Sequence, residues 1–415
     1  MAIFQDIVTY FFLFVTMYVE IFILTMLYSR QREIKKEKLE TCANLKNYPT
    51  VTIIVPCYNE EKTVGKTLDS LINLDYPKDK LSVIAVNDGS SDATWNIIQS
   101  YAAKYPSIQA INKPNGGKFT ALNAAIEASQ SEFIGCLDAD SFVDSMTLKK
   151  IMKRFEEEPE TMAVTPAIRI FNPSSVVQLV QRTEYYLAIL AKKVQSFLGA
   201  IHVTPGPFTI FRREVFERIG TFKKAHNLED MEMAFRMQKN HMKIGNVHHA
   251  WVYTVGPNTL AKLYKQRVRW THGFLENARD YKSMFLNPRY GNVSLLTLPT
   301  ALLFIIAVVF TLFFIAWRTV RFLFRKIIQW KTVGFLLPHF TFSWFYVSAK
   351  LSIILSAVVL CLSIFLLLNA QKLVEGSMKP GRHIFAYLIL YPLISPLWVL
   401  KSIWNTIFSR TESWR

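Results

Sequence analysis

Cysteine is scarce in this chain: four among 415 residues, at positions 42, 57, 136 and 361, with neither a C-x-x-C pair nor the spacing of metal ligands. That excludes a disulfide scaffold and a zinc-finger framework. The thiols read as reduced, with Cys57 and Cys136 acting as small apolar residues of strands. Internal repeats and low-complexity tracts are missing too, which excludes a repeat architecture. Acids are outnumbered, 31 against 48 Lys plus Arg, for a formal net charge of +17. No aromatic-studded basic patch or DNA-binding motif accompanies this excess, so nucleic acid is excluded as the partner and the charge is assigned to a membrane surface rich in anionic lipid.

Apolar residues are abundant, 51% of the chain, and the final third is the greasiest part. Segment 7–28, IVTYFFLFVTMYVEIFILTMLY, holds one acid, Glu20, and meets the roughly 20-residue requirement for crossing a bilayer. It lacks the charged start and small-residue cleavage site of a signal peptide and is expected to be a retained anchor. The basic flank RQREIKKEK then places the N-terminus outside and residue 30 onward in the cytoplasm. Glu20 reads as a carboxyl facing other helices rather than as part of an ion path. Further apolar segments lie at 293–317, 344–368 and 384–404. Pro392 and Pro396 interrupt the third, which is readable as a span or as an interfacial segment, giving two to three spans. Between the first two, RTVRFLFRKIIQWK reads as a basic loop. It would face outside, against the positive-inside tendency, unless one apolar segment is re-entrant.

The middle of the chain alternates. TVTIIVPCY, LSVIAV, IQAI and FIGCL read as strands, and between them NEEKTVGKTLDSLINL, TWNIIQSYAAKY and FTALNAAIEAS have helical spacing. Strand-helix alternation signals an α/β fold with a parallel sheet covered on both faces, in which ligands bind beyond the carboxyl ends of the strands. Three strands end in polar chemistry: PCYNEE, NDGSSD and DADS. Carboxylates gathered at neighbouring strand tips repel one another unless a cation lies between them. With only oxygen ligands on offer, a D-x-D pair suits Mg²⁺ or Mn²⁺. Taken alone the pair reads more often as a helix cap or a solvated turn; two further polar strand tips favour a ligand site. In TLAKLYKQRVRWTHGFLEN, read as a helix on the membrane surface, Gln266, Arg269 and Trp270 stand at i, i+3 and i+4 and share a face. Arg269 offers a donor fork suited to phosphate, and Trp270 a flat ring against which a ligand can pack.

The ordered motifs PCYNEE, VNDGSSDAT, NGGKFTALNAAI, CLDADS, LEDMEMAFRM and QRVRW, over roughly residues 50–275, resemble those of the membrane-embedded family 2 glycosyltransferases, the cellulose, chitin, hyaluronan and poly-N-acetylglucosamine synthases. The resemblance implies a GT-A-like, mostly parallel sheet with helices on both faces, plus membrane helices at the N-terminus and in the C-terminal third. The expected divisions are an anchor at 7–28, a cytoplasmic domain at 48–257, interfacial helices at 258–292 and a membrane region at 293–408. A multi-pass protein of the plasma membrane is expected. Its implied activity is inverting, processive transfer from a UDP-sugar, UDP-N-acetylglucosamine or UDP-glucose, to a β-linked polysaccharide. The alternatives are transfer of one sugar to a membrane lipid and a non-catalytic scaffold. The scaffold is disfavoured because Asp88, Asp138, Asp140, Asp230, Gln266, Arg269 and Trp270 are all present.

By the same resemblance, Pro56, Tyr58, Glu60, Asp88, Lys118, Asp138 and Arg269 take the nucleotide sugar, and Asp138 and Asp140 take Mg²⁺ or Mn²⁺. Asp230 is the catalytic base with Glu229 beside it, and Gly206, Gln266 and Trp270 lie on the acceptor side. Leu228 stands where many members carry Thr. Helix 175–198 is expected to pack the core, and His202, His248, His249 and His272 to be structural or solvated rather than metal ligands. The partners are a nucleotide sugar, a saccharide or lipid acceptor and membrane lipids. The tail after 405 is too short for a regulatory barrel, so control by a soluble messenger is expected to need an accessory membrane subunit.

Overall fold

The continuous apolar runs become the centre of an eight-stranded sheet in the computed structural model, which describes residues 2–40, 45–334 and 350–408. Two helices, α1 (Ala2–Ser29) and α2 (Gln31–Glu40), precede it. The first half of the sheet comprises β1 (Val51–Cys57), α3 (Val64–Ile72), β2 (Leu81–Asp88), α4 (Thr94–Lys104), β3 (Ile108–Lys113), α5 (Lys118–Ala128) and β4 (Phe133–Cys136). Next come β5 (Ser141–Val143), α6 (Thr147–Glu157), β6 (Thr161–Ile170), α7 (Val176–Phe197), β7 (Ile210–Arg212), α8 (Arg213–Ile219), α9 (Glu229–Lys239) and β8 (Lys243–Thr254). The chain continues through α10 (Leu260–Asp280), α11 (Leu298–Val333), α12 (Leu351–Glu375) and α13 (Arg382–Ile407).

The order β3-β2-β1-β4-β7-β6-β8-β5 puts β1 between β2 and β4, all parallel, so the tips of all three open on one crevice. β3 extends this parallel half. Beyond β4 the sheet is mixed: β7 runs antiparallel to β4 and β6, β6 pairs parallel with β8, and β5 closes the edge antiparallel. Ile53, Val55, Leu68, Val83 and Ile210 are fully buried or nearly so on one face; Ile54, Ile84, Leu122, Ile134 and Phe211 are likewise buried on the other. Both faces are therefore dry, as a sheet covered by helices requires.

Among the described residues, four helices are long and apolar enough to cross a membrane: Phe4–Ser29, Val293–Val333, Leu351–Glu375 and Arg382–Ile407. Three follow the α/β unit, and two sequence expectations change. The run from Arg318 to Lys331 is not a loop: it continues α11, because it contains no Gly or Pro and its apolar residues recur at helical spacing. The segment with Pro392 and Pro396, readable as a span or as an interfacial segment, is one continuous helix, α13, of spanning length. Residues 344–349, the start of another expected span, lie outside the described residues, as does Cys42. Glu20 is buried and accepts the Ser363 hydroxyl of α12, as a carboxyl facing another helix should.

Candidate active site

Loop chemistry at the strand tips builds the site. After β1, Asn59 takes a left-handed conformation at φ 55°, its N–H donating to Ser90 Oγ at 3.0 Å and its side chain accepting from the Ser91 N–H at 2.9 Å. The first two strand-tip loops are thereby knitted together. Asp88 ends β2 buried and is held three ways: by Lys113 Nζ at 2.5 Å and by the N–H groups of Gly116 and Gly117 at 3.1 and 2.9 Å. The turn after β4 is pinned by Thr67 Oγ1, which donates to the Ala139 carbonyl at 2.9 Å, and by the Ser141 N–H, which donates to the Asp138 carbonyl at 2.9 Å.

Every site residue expected from sequence lines one cavity of about 790 Å³: Pro56, Tyr58, Glu60, Asp88, Lys118, Asp138, Asp140, Gly206, Glu229, Asp230, Gln266, Arg269 and Trp270. The volume is that of an ordinary ligand site. Lys118, at the first turn of α5, bridges two acids, with Nζ 2.6 Å from Asp138 Oδ1 and 3.3 Å from Glu229 Oε1. Gly206 lies over this bridge. A Cβ there would stand 2.8 Å from Lys118 Nζ and 3.0 Å from Asp138 Oδ1, so only glycine leaves the bridge in place. Asp230, at the start of α9, has its carbonyl bonded by Thr204 Oγ1 at 2.7 Å and its carboxylate bonded by the Met231 N–H at 2.8 Å.

Charge in the cavity is unbalanced. Seven carboxylates line it (Glu60, Asp88, Asp138, Asp140, Glu184, Glu229, Asp230) against three basic side chains (Lys118, Lys192, Arg269). Burial, then the neighbouring charges of Asp138 and Glu60, push the Asp140 carboxyl up to about 6. Burial and Glu229 push Asp230 up to about 6 as well, against the opposing pull of Lys118. Carboxyls forced this far above their ordinary range mark a place where positive charge is wanted. Oxygen donors alone, gathered at the tip of β4, fit a hard divalent cation.

Helix α7 was expected to be packing, and Tyr186, Leu190 and Val194 do join a buried core cluster, but Glu184, Tyr185, Ala188, Lys192 and Gln195 line the cavity. Burial lowers the Lys192 amine to about 8, with Asp230 opposing the fall, and lowers His202 to about 4, helped by Lys192. The only sequence signal was polar residues recurring on one face of an aromatic helix. Arg267, also missed, is buried within QRVRW. Its guanidinium lies 2.5 Å from Glu184, donates to Gln266 Oε1 at 2.7 Å and sits 4.2 Å from the centre of the Trp270 ring. The motif's helix is thus tied to α7 by an ion pair, while Ser402 of α13 donates to the Val268 carbonyl at 3.1 Å. Leu228 packs against α10 at Gly273, where a Cβ would stand 2.5 Å from Leu228 Cδ1. The larger apolar side chain is matched by a missing one.

Comparison with known proteins agrees with this construction. Residues 52–220 match the family described as Glycosyl transferase family 2. The poly-beta-1,6-N-acetyl-D-glucosamine synthase of Staphylococcus epidermidis is 34% identical over 224 residues, 54% of this chain and 54% of that protein. The enzyme of the same name from Staphylococcus aureus strain COL is 32% identical over 249 residues, 60% of each. The chain therefore matches little more than half the length of these curated relatives. The mannosyltransferase PcManGT from Pyrobaculum calidifontis, solved with GDP-Man and Mn²⁺, shares the fold with a TM-score of 0.55 at 16% identity, over 95% of this chain and 99% of that one. The architecture is GT-A-like, with four membrane-length helices added.

Proposed function

We propose, for a chain whose residues 52–220 form a family 2 glycosyl transferase domain, that it is an inverting, processive β-glycosyltransferase. It elongates a polysaccharide at the membrane from a UDP-sugar. UDP-N-acetylglucosamine is favoured over UDP-glucose, because the staphylococcal relatives are poly-N-acetylglucosamine synthases. The observation that carries the reading is the convergence of all the motif residues on one acid-rich cavity.

Asp138 and Asp140 would hold Mg²⁺ or Mn²⁺, with Glu60 close by. Bound there, the ion supplies a Lewis acid for charge developing on the leaving diphosphate. The remaining steps belong to the chain. Asp88, fixed by Lys113 and two backbone N–H groups, orients the nucleoside portion with Pro56 and Tyr58. Lys118 stands at the N-terminus of α5, where amide dipoles add to its charge, and turns from its carboxylate partners to the diphosphate. Asp230 accepts the proton of the attacking sugar hydroxyl, and burial raises its basicity to suit that task near neutral pH. The hydroxyl attacks the anomeric carbon on the face opposite the diphosphate, so an α-linked donor gives a β-linked product. Gln266, Arg269 and Trp270 present one face of α10 to the donor phosphates and the acceptor ring. Arg267 holds Trp270 in place from behind.

The basic residues of α2 beside the anchor support a cytoplasmic catalytic domain, on the side where nucleotide sugars are made. Purified enzyme in nanodiscs, given separate UDP-sugars and a little short acceptor, is expected to use UDP-N-acetylglucosamine best. It should yield long products while most acceptor is untouched. Products uniformly one residue longer than the acceptor would replace this reading with single transfer.

A further inference from the structure

A second cluster of donor atoms lies outside the crevice, where α2 meets the sheet. Among the described side chains of α2, Glu37 alone is buried, between exposed Lys35, Lys36 and Lys38. A carboxylate on an otherwise solvated helix is turned inward only if something there receives it. Two imidazoles and a lysine do. Pro166 in β6 has no N–H to offer the ladder, and the β6–β8 register slips around it, from Thr165 opposite Asn246 to Ala167 opposite Trp251. In the resulting bulge of β8, Val247 and Ala250 join the core, while the rings of His248 and His249 come within 4.8 Å of each other, edge to face. Consecutive strand residues ordinarily point to opposite faces. The bulge is what lets both imidazoles meet Glu37.

One ligand atom from each of Glu37, His248 and His249 falls within 4.8 Å of the others, and all three residues are buried. His248 Nδ1 stands 3.8 Å from Glu37 Oε1, beyond hydrogen-bond length, and has no hydrogen-bond partner among the described residues. Two atoms each about 2.0–2.2 Å from a common ion lie up to about 4 Å apart, so the 3.8 Å between His248 Nδ1 and Glu37 Oε1 suits a shared cation. The other carboxylate oxygen of Glu37 is taken by fully buried Lys193 of α7, an outer partner of the kind that fixes ligating carboxylates.

We infer that Glu37, His248 and His249 form a divalent-metal site, distinct from the crevice, for a borderline ion such as Zn²⁺. Mixed nitrogen and oxygen donors select such an ion over Mg²⁺. The ion pins the helix that follows the membrane anchor to the far half of the sheet, and Glu37 lies between it and Lys193. Its role is structural, because neither histidine nor Glu37 lines the crevice.

The test uses the full chain in detergent, stripped of metal and titrated with Zn²⁺ against a chromogenic chelator. An Asp138→Asn/Asp140→Asn double variant keeps about one equivalent, because its crevice donors are weakened and the junction is intact. Glu37→Gln and His248→Gln, each checked for folding by circular dichroism, lose at least about tenfold in zinc affinity. Zinc that persists in both junction variants yet disappears from the crevice variant overturns the assignment. Should the junction variants fail to fold, Co²⁺ added to the crevice variant decides the matter. The intense visible bands of low-coordinate cobalt bound to imidazole support the site, and a spectrum no stronger than that of aqueous cobalt overturns it.

Discussion

Two buried polar clusters meet α7 from different sides, and they treat charge differently. In the crevice, seven carboxylates face three basic side chains, every donor atom of the acid cluster is an oxygen, and two carboxyls are driven up to about 6. At the junction a single carboxylate, Glu37, faces Lys193 and two imidazoles, and these neighbours hold it down to about 2 in spite of its burial. The crevice thus carries an excess of negative charge, at a cost to stability that function repays, and suits a hard ion, whereas the junction offsets its one carboxylate with a lysine and offers nitrogen donors to a softer one.

The largest effect expected from this contrast is at the crevice metal site. Asp140→Ala, or excess chelator on the wild type, should cut turnover at least about a thousandfold, the equivalent of several kcal/mol of Lewis-acid stabilisation. Turnover is read as UDP release, with Mg²⁺ or Mn²⁺ restoring only the chelated wild type. Full turnover in chelator would erase the distinction between the clusters.

Next in size is Asp230→Asn, which keeps shape and removes the proton acceptor. Turnover should fall at least about a hundredfold while UDP affinity, by calorimetry, stays within about twofold. The wild type should show kcat/KM rising as pH climbs through about 6, and the variant should lack that limb. Stability should move the other way. A carboxyl whose folded pKa is raised destabilises the fold above that pKa, and the penalty fades as pH falls from about 6 toward the ordinary value near 4. The metal-free variant should therefore melt a few degrees higher at pH 7 and show no advantage at pH 4. The smallest effect is Gly206→Ala, whose methyl displaces the ends of Lys118 and Asp138. A loss of about tenfold or less in kcat/KM is expected, with an unchanged melting temperature. An unchanged kcat/KM would mean that the Lys118 bridge plays no part in turnover.

The strand tips were legible because each is a local signal: an apolar run stopped by acids, as in FIGCLDADS. Three such tips in βα order were enough to place Asp88, Asp138 and Asp140 on one crevice. What sequence could not give depended on pairing between distant segments. Lys192 and Tyr185 read as core on an amphipathic helix until the fold shows which side of α7 meets the cavity. His248 and His249 were expected to be structural or solvated, because only the bulge opposite Pro166 brings both to Glu37. The basic run in α11 was taken for a loop on charge alone, though its helical spacing was present.

Lys192 and Lys193 are consecutive on α7, one lining the crevice and the other buried against Glu37. Neighbours on a helix differ by about 100° in direction, so this pair fixes the rotation of α7 as well as its position. Point substitutions along the helix are open to evolution one at a time. A single-residue insertion or deletion between Ser175, its N-cap, and Lys192 is closed, because it would turn the crevice lysine out of its cavity and carry its neighbour off the anchor in the same step. Among natural variants of this chain, length changes should gather in the surface loops and be absent from that stretch of α7.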